Sequence, residues 1–75
     1  MKTIGFIGGG RITNIFLHAF ENSGISLENV SVSDINQEVL NALKHKYPTI
    51  TITTDNLQVV SESSVVFIAV HPPVL

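Results

Sequence analysis

Three consecutive glycines, Gly8, Gly9 and Gly10, follow a short apolar run near the start of the sequence. An apolar stretch this short predicts a buried strand, and glycines allow a sharp turn that brings backbone N–H groups close to a ligand. The residues after the turn are patterned as a helix, whose N-terminus carries a partial positive charge. This order of strand, glycine turn and helix favours a site for the pyrophosphate of a dinucleotide.

The glycine turn matches the dinucleotide motif G-x-G-x-x-[G/A] only at its first two positions. Thr13 stands where the third small residue belongs, and its bulk is expected to push the helix slightly off the first strand. Arg11, at the start of that helix, could meet a 2′-phosphate or lie in solvent. A glycine-rich turn that binds no ligand remains the structural alternative.

Asp34 ends the second predicted strand, where a carboxylate can accept hydrogen bonds from the ribose hydroxyls of adenosine and favour NAD over NADP. Its alternative role is to cap the following helix with Gln37, although Asn36 could also be the cap. Asn56 follows the third strand, near the expected adenine position, but could equally be a first-turn residue beside the Asp55 cap.

No catalytic or metal-binding residue is predicted. His71 follows the fourth strand without a carboxylate partner, which argues against a proton donor. His18 and His45 are expected on helix surfaces, and the three histidines lack metal-ligand spacing. The sequence has no cysteine, which excludes disulfides and thiolate metal sites.

The elements that position these residues alternate along the chain. The sequence predicts strands over 2–7, 30–33, 49–53 and 65–70, and helices over 11–23, 36–46 and 55–63. Two apolar stripes are expected to face the sheet: Ile12, Ile15, Phe16, Ala19 and Phe20 on the first helix, and Ile35, Val39, Leu40 and Leu43 on the second. This alternation predicts an α/β fold, a Rossmann-type parallel sheet of order 3-2-1-4 with flanking helices.

The third and fourth strands differ in their pattern. The third alternates isoleucine with threonine, as an edge strand does, whereas the fourth is continuously apolar, as expected for a strand covered on both faces. No further strand follows in the sequence to pair with the fourth. We therefore expect a truncated unit, the front part of a larger protein, or an edge that is shielded by association.

Composition excludes several classes of function. A net charge of −2 with four Lys and Arg residues argues against a nucleic-acid surface. No apolar run approaches the roughly 20 residues of a membrane span, and the N-terminus does not resemble a secretory signal. A single domain over residues 1–75 and a cytoplasmic location are predicted.

Three segments carry a more specific resemblance. Residues 4–10, Thr54-Asp55-Asn56 and residues 65–72 resemble pyrroline-5-carboxylate reductases, with matching spacing along essentially the whole chain. The resemblance implies the N-terminal part of an enzyme that reduces the ring C=N of 1-pyrroline-5-carboxylate to L-proline, in proline biosynthesis, with hydride from NADPH or NADH. It implies these cofactor-binding residues: Ile7, Gly8, Gly9, Gly10, Arg11, Ile12, Asp34, Asn56, Ala69, Val70, His71 and Pro72.

The sequence departs from that family at several points. Arg11-Ile12-Thr13 stands where Asn-Met-Ala is usual, His71 replaces a lysine, and Asp34 favours NAD. Family members continue into a helical dimerisation domain that forms the pocket for the small imine substrate, so this segment alone is predicted to be inactive and the whole enzyme a homo-oligomer. Alternatives are the front end of a hydroxyacid, prephenate or deazaflavin-dependent dehydrogenase, or a non-catalytic nucleotide-binding or interaction module.

Overall fold

The computed structural model describes residues 3–69, which form one four-stranded parallel sheet in the order β3-β2-β1-β4. The strands are β1 (Ile4–Ile7), β2 (Val30–Ser33), β3 (Thr51–Thr53) and β4 (Val65–Ile68). The helices are α1 (Arg11–Asn22), α2 (Gln37–Lys46) and α3 (Asn56–Glu62). The predicted Rossmann-type α/β fold and its strand order are confirmed.

The main core lies between the sheet and the α1/α2 layer. Phe6, at the centre of β1, pairs in register with Val32 of β2 and Phe67 of β4. Its ring lies 5.9 Å from that of Phe16 on α1 and 5.3 Å from that of Phe67. The buried residues of this core are Phe6, Leu17, Leu27, Val30, Val32, Leu40, Leu43, Tyr47 and Ile50.

The third helix covers the opposite face of the sheet. Side chains alternate along a strand, so Gly5 faces away from the side to which Phe6 points. A Cβ atom at Gly5 would lie 2.4 Å from the Ser63 hydroxyl and 2.5 Å from Val59, at the end and middle of the α3 segment. The two layers therefore sandwich β1, whose carboxyl end leads into the glycine turn.

Side-chain caps begin two of the helices. Asn36 accepts a hydrogen bond from the Glu38 N–H at 2.9 Å, and Asp55 accepts one from the Leu57 N–H at 2.9 Å. Asn36 rather than Asp34 thus caps α2, which leaves the Asp34 carboxylate available for other contacts. No described helix is long and apolar enough to cross a membrane.

Both predicted helix stripes need correction. The buried residues of α1 are Thr13 and Leu17, whereas Ile12 and Ile15 are 43% and 61% exposed and Ala19 is also exposed. Phe16 and Phe20 of the predicted stripe do lie against Phe6, with ring distances of 5.9 and 6.4 Å, whereas Thr13 and Leu17 take the fully buried positions. On the second segment Leu40 and Leu43 are buried as predicted, but Ile35 is 93% exposed because it precedes α2.

The fourth strand is an edge of the described sheet. Among residues 3–69 it pairs only with β1. The sequence predicted a strand covered on both faces, but the side chains of Val65, Phe67 and Ile68 are 44%, 37% and 74% exposed. That expectation of burial is wrong here, because the helices in residues 3–69 do not fully cover either face of β4. The alternating third strand lies at the other edge, as predicted.

Candidate functional site

Each glycine of the turn has a different structural role. Gly8 has a φ of +106°, which favours glycine, and its N–H donates to the Ser33 carbonyl at 2.7 Å. The Gly9 N–H donates to Oδ2 of Asp34 at 2.8 Å. Gly10 is the N-cap of α1, and a Cβ atom there would meet nothing within 4 Å. The first two glycines shape the turn, and the third borders open space.

The start of α1 presents backbone donors without a side-chain cap. Gly10 offers no side chain, so the first-turn N–H groups that follow it have no capping acceptor. Thr13 is wholly buried, and its hydroxyl donates instead to the Gly8 carbonyl. The departure from the motif at Thr13 therefore provides a hydrogen bond that stabilises the turn. The free N–H groups and the helix dipole together favour an anion here.

A small cleft of about 140 Å³ lies beside this helix start, at the carboxyl ends of β1 and β2. Its lining residues are Ile7, Gly8, Ser33, Asp34, Ile35 and Asn56. Ligands of open α/β sheets bind outside the carboxyl ends of the strands, which is where this cleft is placed. Four of the residues singled out from the sequence are thus brought together.

The polar wall of the cleft is preorganised. Ser33 is fully buried, and its hydroxyl donates to Oδ1 of Asn56 at 2.6 Å. With Oδ1 engaged, the Asn56 amide retains N–H donors for a ligand. Asp34 accepts from the Asn36 N–H through Oδ1 at 2.8 Å as well as from Gly9. A carboxylate has about four lone-pair sites, so two remain for hydroxyl donors.

Arg11 lies apart from the cleft. It lines a separate, open groove of about 340 Å³ together with Asn14, Ile15, His18 and Lys46. The two concavities share no lining residue, so Arg11 does not line the cleft that contains Asp34. His18 and His45 are exposed on helices, as predicted.

Of the predicted cofactor-binding segment 69–72, the structure describes only Ala69. Ala69 is buried, and its N–H donates to the Ile7 carbonyl at 2.8 Å, which extends the pairing of β4 with β1. This contact places the end of β4 next to the start of the glycine turn. Val70, His71 and Pro72 lie outside the described residues.

Sequence reasoning missed two cleft residues. Ser33 and Ile35 flank Asp34 and line the cleft with it. Their position at the carboxyl end of β2 was the available signal, because that end faces the ligand side of a parallel sheet. The partner of Ser33 is Asn56, 23 residues further on, and no local pattern reveals that contact.

The geometry at the start of α1 is suited to an anionic ligand. Within residues 3–69 no group of three or more His, Asp or Glu side chains is arranged to hold a metal ion. Open space at Gly10, uncapped N–H groups at α1 and a carboxylate in the neighbouring cleft suit a pyrophosphate with an attached ribose.

Comparisons with known proteins agree with this geometry. A family model described as NADP oxidoreductase, coenzyme F420-dependent, matches residues 3–75. A curated pyrroline-5-carboxylate reductase from Methanosarcina acetivorans is 36% identical over 75 residues. That alignment covers 99% of this chain but 27% of the relative, so the chain spans about a quarter of the relative's length. The predicted resemblance to pyrroline-5-carboxylate reductases is confirmed.

Proposed function

The chain belongs to the family of coenzyme F420-dependent NADP oxidoreductases, and from that premise we propose that it is the nicotinamide-dinucleotide-binding part of an enzyme similar to pyrroline-5-carboxylate reductase. The proposed reaction is reduction of the ring C=N of 1-pyrroline-5-carboxylate to L-proline. Similarity to the reductase from Methanosarcina acetivorans supports this substrate class. The bound dinucleotide supplies the hydride, and the protein binds and orients it.

The observation that carries the proposal is the uncapped start of α1 beside the Asp34 cleft. The first-turn N–H groups following Gly10 bind the pyrophosphate, helped by the roughly half-unit positive charge of the helix N-terminus. Gly10 lacks a side chain, so the phosphates can approach the backbone closely. Ile7 to Ile12 form this part of the site.

The adenosine half occupies the neighbouring cleft. The two unused acceptor sites of Asp34 receive the ribose hydroxyls, and the free amide hydrogens of Asn56 face the adenine side. A 2′-phosphate would place negative charge next to the Asp34 carboxylate, and Arg11 lies in a different groove. These placements favour NADH over NADPH. Ala69 to Pro72 help to place the nicotinamide.

The substrate pocket and the oligomer contacts belong to the part of such an enzyme that this chain does not match. The chain aligns with 27% of its relative, so the imine-binding residues and a homo-oligomeric interface are proposed for the remaining part. The segment alone is therefore expected to bind cofactor without turnover. A cytoplasmic location remains a prediction.

A second candidate is hydride exchange between NADP and a deazaflavin, which the description of the matching family favours. That reaction would require NADPH to be the preferred dinucleotide. Tighter binding of NADH would argue against this second candidate, because the negative charge of Asp34 would repel a 2′-phosphate.

The first test is a calorimetric titration of the purified, folded chain with NADH and NADPH in parallel at low salt. Saturable binding with NADH tighter is expected. Tighter binding of NADPH would keep the family assignment, contradict the preference proposed from Asp34 and point to Arg11 as the residue that meets the 2′-phosphate. A folded chain that binds neither would contradict the proposal that this segment is a self-sufficient cofactor module.

A matched pair of variants tests the pyrophosphate position. Gly10→Asp adds a good N-cap residue in open space, so the free energy of unfolding should stay the same or rise by about 0.5–1 kcal/mol. The new carboxylate should repel the phosphates and weaken NADH binding about tenfold or more. Asn22→Asp adds the same charge at the other end of α1 and should leave affinity unchanged. Equal loss of affinity in both variants would argue against a site at Gly10.

A further inference from the structure

The carboxylate of Asp34 is already engaged in the cofactor-free chain. Oδ2 accepts from the Gly9 N–H at 2.8 Å, and Oδ1 accepts from the Asn36 N–H at 2.8 Å. Hydrogen bonds to an ionised acceptor are roughly twice as strong as neutral ones. One side chain therefore connects the glycine turn with the start of α2.

The backbone of Asp34 is itself fixed to the sheet. Its N–H donates to the Thr53 carbonyl of β3 at 3.2 Å, just beyond the last paired residues of β2 and β3. The carboxylate consequently projects from a fixed point on the sheet. A side chain on an unsupported loop would not hold a neighbouring turn in this way.

Gly9 also packs closely against α2. A Cβ atom at Gly9 would lie 3.0 Å from Leu43 and 3.0 Å from Val39, so the backbone already packs closely on that helix. Gly9 is therefore held by a hydrogen bond to the carboxylate and by close packing on α2. Gly10, the next residue, borders open space and carries the N-terminus of α1.

We propose that Asp34 is a positioning residue that holds the glycine turn in its binding geometry through the Gly9 N–H, in addition to contacting ribose. The coupling of this role to cofactor choice rests on the proposed dinucleotide function. Loss of the Asp34 charge removes the repulsion of a 2′-phosphate but also releases the turn that presents the pyrophosphate donors. Neutral substitutions at Asp34 thus weaken NADH binding without creating tighter NADPH binding.

Hydrogen exchange of individual amides in the ligand-free chain tests the contact directly. Asp34→Asn and Asp34→Ala should speed exchange of the Gly9 amide about tenfold or more, because it loses a charge-assisted acceptor. The Gly8 amide is an internal control, since it donates to the Ser33 carbonyl and should keep its protection. Glu38→Gln removes a carboxylate from the first turn of α2 and should leave Gly9 unchanged.

The same variants are then titrated with NADH and NADPH. The expected result is weaker NADH binding in Asp34→Asn and NADPH binding no tighter than in the unsubstituted chain. Unchanged Gly9 exchange in both Asp34 variants, or NADPH binding that becomes tighter, would overturn the positioning role. If the unsubstituted chain binds neither dinucleotide, the proposed function fails, while the exchange of Gly9 still decides whether Asp34 holds the turn.

Discussion

At the scale of single residues, Thr13 shows how a departure from a motif can be accommodated. Its side chain is fully buried and its hydroxyl donates to the Gly8 carbonyl, so its polar atom is satisfied. An alanine or glycine at this position could not donate that bond. The carbonyl of a buried turn residue therefore has a partner that the usual small residue does not offer.

Thr13→Val should lower the free energy of unfolding by about 1–3 kcal/mol, because it keeps the shape but leaves the Gly8 carbonyl without a donor. Thr13→Ser is the control, since it retains the hydroxyl and loses one methyl group, at about 1 kcal/mol. Urea denaturation followed by circular dichroism measures both. A valine variant as stable as the unsubstituted chain would show that this hydrogen bond contributes nothing.

At the scale of elements, the contact between β1 and α3 depends on the absence of a side chain at Gly5. A Cβ atom there would lie 2.5 Å from Val59, which is fully buried. Gly5→Ala should therefore destabilise the fold by about 1–3 kcal/mol through overpacking. Val59→Ala makes room, so the double variant should lose less than the sum of the two single losses in thermal or chemical denaturation. Strict additivity would mean that the two residues do not press on each other.

The sequence predicted the elements well because their signals are local. Periodicity and caps located all seven elements to within a few residues at each end, and the crossover rules then gave the strand order. The glycine turn and Asp34 were found for the same reason, since each ends a strand. The burial of Thr13 was not predictable, because it depends on a hydrogen bond from its hydroxyl to a backbone carbonyl that only the folded turn supplies. Nor was the role of Ser33, whose partner Asn56 lies on another element.

At the scale of the whole molecule, the apolar fourth strand forms an exposed edge of the described sheet. The sequence pattern of β4 is that of an interior strand, but it forms an edge, and Ile68 is 74% exposed there. Exposed apolar edge strands pair readily with other chains. The pattern and the exposure agree if β4 gains a further neighbour, either from more of the same protein or by association.

We therefore expect residues 1–75 by themselves to associate as the protein concentration rises. Ile68→Lys places a charge on the exposed edge, which should suppress association, and it should change stability by only about 0.5 kcal/mol because the side chain is mostly in solvent. Sedimentation velocity over a concentration series measures the association. Ser31→Lys is a contrasting variant: β2 is flanked by two strands, so a lysine there should disturb folding instead. A chain that stays monomeric at every concentration would mean that the β4 edge does not drive pairing. Association that persists in Ile68→Lys would indicate that the chains associate through another surface, such as the exposed rings of Phe16 and Phe67, which stack 5.4 Å apart between α1 and β4.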